Sequence, residues 1–359
     1  MKITNIYIKN YRNYESFDLK IDKNTNVFIG KNAQGKTNLL EAIFFCGVGR
    51  SFRTSKDKDL IKWDKENAKI VLDIEKKYRK QKIEIFFSKN TKKTIKIDGI
   101  SIRRVGDLLG EMPVVFFSPD ELKLIKESPD ERRKFMNIDI SQTNKRYFYL
   151  LSRYEKILAN RNKLLKETKD FKVLKDSIDI WDRVLVDVAE KISEEREKFI
   201  KELAPLAEKA HNYISNGKEC LKIEYKGFEK GKSQYAEAFL KILQKNLEKD
   251  YKLGYTSVGP HRDDLDLYLN GVEVKSFGSQ GQQRTVALSL KLAELEIIKN
   301  RTGEYPILLL DDVFSELDSE RRSRLVKFTT RTQTFITCTD FNSKGIDYKI
   351  FNINDGKIS

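Results

Sequence analysis

Gly30-Lys31-Asn32-Ala33-Gln34-Gly35-Lys36-Thr37 fits the spacing G-x-x-x-x-G-K-[ST] of a P-loop. Its glycines let backbone N–H groups curl around phosphate oxygens. Lys36 brings a positive charge to the β and γ phosphates, and Thr37 offers a hydroxyl to Mg2+. Upstream, Val27-Phe28-Ile29 reads as a short buried strand. Downstream, Thr37 to Phe45 reads as a helix with Leu39, Leu40, Ile43 and Phe44 on one face. A chance glycine-rich turn is the competing reading, but this strand and helix are the context the motif requires. The helix N-terminus adds its dipole. Gly30 through Thr37 are therefore the candidate residues for ATP, with Thr37 also a candidate for Mg2+.

Two further stretches say how a nucleotide is used. Ile307-Leu308-Leu309-Leu310-Asp311-Asp312 reads as a buried strand that ends in two carboxylates. Asp311 is the expected metal ligand. Asp312 is the expected catalytic group, placed to orient or deprotonate water. Successive strand side chains point to opposite sides, which predicts separate jobs for the two. Ser279-Gln280-Gly281-Gln282-Gln283 opens a long apolar-striped helix, and Ser279, Gly281 and Gln282 are candidates to meet phosphate at its N-terminus. A plain Ser N-cap explains Ser279 equally well.

Bulk properties narrow the class. The 359-residue chain is 34% charged and 39% hydrophobic, with a net charge of +15, a balance that favours a polyanionic partner such as nucleic acid. No apolar run approaches the ~20 residues of a membrane helix, and the start, Lys2-Ile3-Thr4-Asn5-Ile6-Tyr7-Ile8, is strand-like rather than a signal peptide. Cys46, Cys220 and Cys338 are far apart and form no CxxC pair, which fits a cytoplasmic location. Arg50, Arg53 and the pairs Lys92-Lys93, Arg103-Arg104 and Arg132-Arg133 are candidate DNA or nucleotide contacts.

Along the chain, periodicity divides the molecule. Residues 1–118 read as strands around one helix. Residues 119–252 read as a helical lobe, with stripes such as Trp181, Val184, Leu185, Val188 and Ile192. Residues 253–359 return to strands, beginning with a hairpin at Asn270-Gly271. The expected fold is α/β, one lobe discontinuous over 1–118 and 253–359 with an inserted helical lobe. The run Ser279 to Gln283 resembles the signature motif of ABC-type ATPases, which implies that the lobe is an ABC-type P-loop ATPase head.

Together these marks resemble the RecF family of bacterial recombination mediators over nearly the whole chain. The resemblance rests most on Gly259-Pro260-His261-Arg262-Asp263-Asp264 and on the run from Ser279 to Glu296. Gly49-Arg50-Ser51-Phe52-Arg53-Thr54 and Ser128-Pro129 with Arg132-Arg133-Lys134-Phe135 support it. Ser315-Glu316-Leu317-Asp318 is similar to the D-loop of ABC ATPases. The resemblance implies an ATP-dependent homodimer that binds double-stranded and gapped DNA and hydrolyses ATP slowly. It also implies partnership with RecR and RecO in loading RecA. By the same carry-over Ser279 meets the γ-phosphate of the opposite subunit. Two departures fit slow turnover: Asp311-Asp312 stands where many ABC ATPases carry Asp-Glu, and Thr339-Asp340 where a switch histidine is usual. An ABC transporter subunit and a small-molecule P-loop kinase are the competing classes. The first suffers from the basic charge and the large insertion, the second from having no use for the Ser279 motif.

Overall fold

The computed structural model describes residues 1–228, 235–341 and 347–359, and the backbone alone at Ser315, Glu316 and Ser319. It forms two compact units. The first comprises Met1–Leu122, Lys209–Glu219 and Arg284–Ser359; the second comprises Lys123–Glu208 and Cys220–Gln283.

The first unit is built on a parallel sheet. Its spatial order is Lys357–Ile358, Tyr348–Asn354, Thr25–Ile29, Thr334–Cys338, Ile307–Asp311 and Val114–Phe117, and only the terminal hairpin pairs antiparallel. Ile307–Asp311, Thr334–Cys338 and Val114–Phe117 are buried along their whole length. Continuous apolar runs suit strands covered on both faces. A second, antiparallel sheet carries Tyr14–Lys20, Lys2–Tyr11, Asn67–Glu75, Lys80–Ser88, Thr94–Ile97 and Ile100–Ile102. Its strands alternate buried and open residues, as in Lys80–Ser88, so one face meets solvent.

The helix Lys36–Val48 packs against strands of both sheets. Leu39 to Val48 are buried without a break, so the single apolar face expected from the sequence is replaced by burial all round. Both sheets thereby hold the P-loop helix in a fixed place.

In the second unit the helices Pro129–Thr143, Lys145–Glu167, Tyr235–Leu253 and most of Phe171–Ser215 accompany a sheet ordered Val272–Glu273, Asp264–Leu269, Leu221–Lys226. Buried arginines tie these elements together. Arg161 reaches Asp182 at 2.6 Å and Asp250 at 3.0 Å, while Arg196 reaches Asp263 at 2.5 Å and the carbonyl of Pro260 at 2.6 Å.

The expected division at 118 and 252 differs from these units. The strand Asp264–Leu269 pairs with Leu221–Lys226, so the hairpin read as the return of the first lobe belongs to the second unit, which is not purely helical. The helix Phe171–Ser215, at 45 residues, runs across the boundary, and its end is counted with the first unit.

Candidate nucleotide site

The parallel strands end where the motifs of the first unit gather. Thr25–Ile29 delivers the P-loop. Its glycines are required by close approach: a Cβ on Gly30 would stand 2.4 Å from the carbonyl oxygen of Ile353, and one on Gly35, at φ 110°, 2.5 Å from the Asn13 amide. Gly35 caps the helix without a side chain, which leaves the first-turn N–H groups without a side-chain cap. Lys36 is buried, and its Nζ donates to the carbonyls of Gly30 at 2.6 Å and Lys31 at 3.3 Å. The loop thus curls around its own lysine, while Lys31, Asn32 and Ala33 are exposed.

Ile307–Asp311 delivers the carboxylate. Thr37 Oγ1 donates to Asp311 Oδ1 at 2.9 Å, and Thr337 Oγ1 donates to the same oxygen at 2.6 Å. Burial pushes the Asp311 carboxyl above its usual range; the two hydroxyls oppose that shift, Asp312 adds to it, and the charge of Arg53 opposes it. A buried carboxylate beside a threonine hydroxyl is the hard oxygen set that Mg2+ takes, and a cation there would offset the cost of burial. The residues fit that ion.

Asp312 does not continue the strand. It adopts a left-handed conformation at φ 50°, and its N–H donates to the carbonyl of Thr337 at 3.1 Å. The turn, rather than the strand pleat, separates its direction from that of Asp311. Aspartate tolerates this region better than most residues.

Several residues that escaped the sequence reading hold the loop. Asn13 donates to Gln34 O at 2.9 Å and accepts from Asn38 at 2.8 Å; Tyr14 Oη donates to Gly35 O at 2.9 Å. The backbone N–H of Asp355 donates to Gln34 Oε1 at 2.5 Å, so this side chain is committed to the C-terminal turn. Glu41, fully buried on the P-loop helix, accepts two bonds of 2.8 Å from Arg12 and one of 2.6 Å from Ser51. Only the pairing of Asp311 with Thr337 across neighbouring strands could signal Thr337, and register is a tertiary property. An open groove of about 550 Å3 lined by Arg12, Lys58, Asp59, Ile61, Lys62 and Trp63 adjoins this rim through the bond from Lys62 Nζ to Asn13 O.

The candidate basic contacts divide. Arg53 is exposed and donates to Asn38 at 2.8 Å, on the first turns of the P-loop helix; its neighbour Phe52 stacks on Phe116 with centroids 4.2 Å apart. Arg50, Lys92, Arg103 and Arg104 are exposed. Three assignments are corrected. Lys93 lies over the Phe45 ring and donates to Gly49 O at 2.9 Å, a cation at the C-terminus of the P-loop helix. Arg132 is buried and holds Asp264 through two bonds, of 2.5 and 3.0 Å. Arg133 is mostly covered, bonded to Asp263 O and paired with Asp130. Their guanidinium and ammonium groups serve the fold.

In the second unit, Ser279 Oγ accepts from Gln282 N at 3.2 Å, and Ser279 N donates to Gln282 Oε1 at 2.8 Å. This is a reciprocal capping box for the helix Gln280–Thr302. His261 is structural: its Nε2–H donates to Thr256 O at 3.0 Å, and its Nδ1 accepts from Tyr154 Oη at 2.7 Å. Burial pushes it down to about 4. In the D-loop-like stretch, Asp318 caps the helix Ser319–Thr329; the side chains of Ser315 and Glu316 lie outside the described residues.

Comparison with known proteins bears on the family and the fold. Residues 2–345 match the family described as RecF/RecN/SMC N terminal domain. The DNA replication and repair protein RecF of Clostridium botulinum is 45% identical over 363 residues, covering 100% of this chain and 99% of that protein. Its counterpart in Alkaliphilus oremlandii is 44% identical over 367 residues, with both chains fully covered. A solved structure of the recombination mediator protein RecF with ATP, in the RecFOR pathway, superimposes with a TM-score of 0.91 at 38% identity, covering 99% of this chain and 96% of that one. An Smc head at 15% identity shares the fold with a TM-score of 0.58. The expected ABC-type head fold therefore holds, and the chain belongs to the RecF family of DNA replication and repair proteins.

Proposed function

We propose that this protein is an ATP-dependent, DNA-binding recombination mediator in which ATP joins two copies of the chain and slow hydrolysis releases them. The observation that carries the reading is the meeting of Thr37 on the P-loop helix with buried Asp311 at 2.9 Å. That pair would hold Mg2+ beside the phosphates. Lys36 would exchange its loop carbonyls for phosphate oxygens, and Asp312 would orient the attacking water. Arg53, already electrostatically coupled to Asp311, would lie beside the bound phosphates. The groove at Lys62 and Trp63 would take the nucleoside end. Ser279, Gly281 and Gln282 would meet the γ-phosphate of the second copy. Double-stranded and gapped DNA would bind through the phosphate backbone, given the net charge of +15. RecR and RecO would act with it in loading RecA, in keeping with the pathway named for its RecF relatives.

Sedimentation with and without ATP and Mg2+ tests the clamp. The chain is expected to be monomeric alone and dimeric with both. An unchanged sedimentation coefficient would reject ATP-driven association.

A further inference from the structure

The antiparallel sheet of the first unit carries a projection that the nucleotide site does not use. Strands Asn67–Glu75 and Lys80–Ser88 pair as far as Glu75 with Lys80, and Lys76 N–H closes the turn onto Arg79 O at 2.9 Å. The sequence of this hairpin end is Glu75-Lys76-Lys77-Tyr78-Arg79-Lys80-Gln81-Lys82, five cations against one acid. Lys77, Tyr78, Arg79 and Lys80 are all exposed, Tyr78 to 86%.

The tip is braced from beneath. Glu111 takes Arg79 at 2.8 Å, Lys76 at 3.3 Å and the Gln81 amide at 3.0 Å, and Glu304 accepts the Lys77 backbone N–H at 2.6 Å. One carboxylate thus answers two cations. The Lys77 ammonium lies 5.0 Å from the centre of the Tyr78 ring. A tyrosine this exposed costs apolar hydration, and cations gathered around it repel one another; a bound polyanion relieves both. With Lys93, Arg132 and Arg133 committed to internal bonds, this hairpin is a dense basic projection that remains for a phosphate backbone.

Glu304 precedes the strand Ile307–Asp311, whose far end carries the Mg2+ candidates. The brace therefore lies about one strand length, roughly 17 Å, from Asp311.

We propose that the hairpin end Lys76–Lys80 is a duplex-DNA contact, with Lys77 and Lys80 on phosphates and Tyr78 packed on the sugar–phosphate edge. The proposal rests on the DNA-binding reading above. Because the hairpin is remote from the P-loop, the contribution of each copy's hairpin does not depend on the nucleotide in that copy.

The test is the double variant Lys77→Ala/Lys80→Ala, which spares the braced Lys76 and Arg79, beside Tyr78→Ala and the wild type. Anisotropy of a fluorescein-labelled duplex is followed over a range of salt concentrations, with and without ATP. ATP affinity and the thermal melt are measured in parallel and are expected to be unchanged. The double variant should lose about 2 for each bound copy from the slope of log affinity against log salt, near 0.9 per phosphate contact, whether that copy binds alone or in the ATP-joined pair. Tyr78→Ala should weaken binding without changing the slope. A wild-type slope and affinity in all variants would overturn the hairpin contact and point to an acidic protein surface as its occupant. If the wild type itself binds no duplex at any salt, the DNA-binding reading fails with it.

Discussion

Asp311 and Asp312 are neighbours of identical chemistry, and their surroundings separate them. Asp311 is buried, receives two threonine hydroxyls and has its carboxyl pushed up by desolvation. Asp312 turns away in a left-handed conformation. Asp312→Asn is expected to retain ATP and Mg2+ binding, to stop turnover and to lengthen the life of the ATP-bound dimer. Asp311→Asn should lose Mg2+-dependent ATP affinity as well. Turnover and dimer dissociation, measured for both side by side, check this; wild-type hydrolysis by Asp312→Asn would remove it from the catalytic role. Lys36→Met should lower ATP affinity by about 10- to 100-fold, the worth of a charge-assisted hydrogen bond of ~1.5–3 kcal/mol, in equilibrium binding of a labelled analogue.

At the scale of elements, the P-loop is a joint between three segments. Asn13 joins the first hairpin turn to the loop and its helix, and the C-terminal turn reaches back to Gln34. Asn13→Ala removes two hydrogen bonds worth ~1 kcal/mol each, so ATP affinity should fall by about tenfold or more. Titration with a labelled ATP analogue would reject the bracing role if affinity were unchanged. The helix Gln280–Thr302 poses a different question, because its capping box explains Ser279 without any partner. Ser279→Ala should cost about 1 kcal/mol of stability. Ser279→Arg should keep ATP binding but fail to dimerise if the serine meets phosphate across two copies. Light scattering with ATP separates that outcome from a cap alone, which leaves dimerisation intact.

For the whole molecule, acid is a specific stress. His261 is held neutral, with a folded value of about 4 against the 6.5 of a free histidine. Between these values the unfolded chain binds a proton that the folded chain refuses, so stability falls as pH drops from about 6.5 toward 4. The full effect is on the order of 3 kcal/mol, present at neutral pH and lost in acid. Urea unfolding at pH 7 and pH 5 measures it, and His261→Gln should flatten the difference. An equally steep loss in the variant would assign the acid sensitivity to other groups. The buried Arg161 and Arg196 pairs set a second demand on this unit: Asp182→Ala leaves Arg161 with one carboxylate fewer and should destabilise by about 3–5 kcal/mol in the same assay.

By itself the sequence determined the α/β class, the P-loop with its strand and helix, the strand that carries Asp311, and the helix opened by Ser279. Each is a local pattern: apolar period, glycine spacing or capping chemistry. Tertiary structure decided what those patterns could not carry. Strand register brought Thr337 to Asp311, and an antiparallel pairing moved Asp264–Leu269 into the second unit. Packing between two sheets buried the P-loop helix all round. It also decided which cations face solvent, since Arg132 and Lys93 read as surface residues until Asp264 and the Gly49 carbonyl are placed beside them. Periodicity records which residue types alternate. It does not record which distant chain segment meets them, and burial, ion pairing and pKa all depend on that meeting.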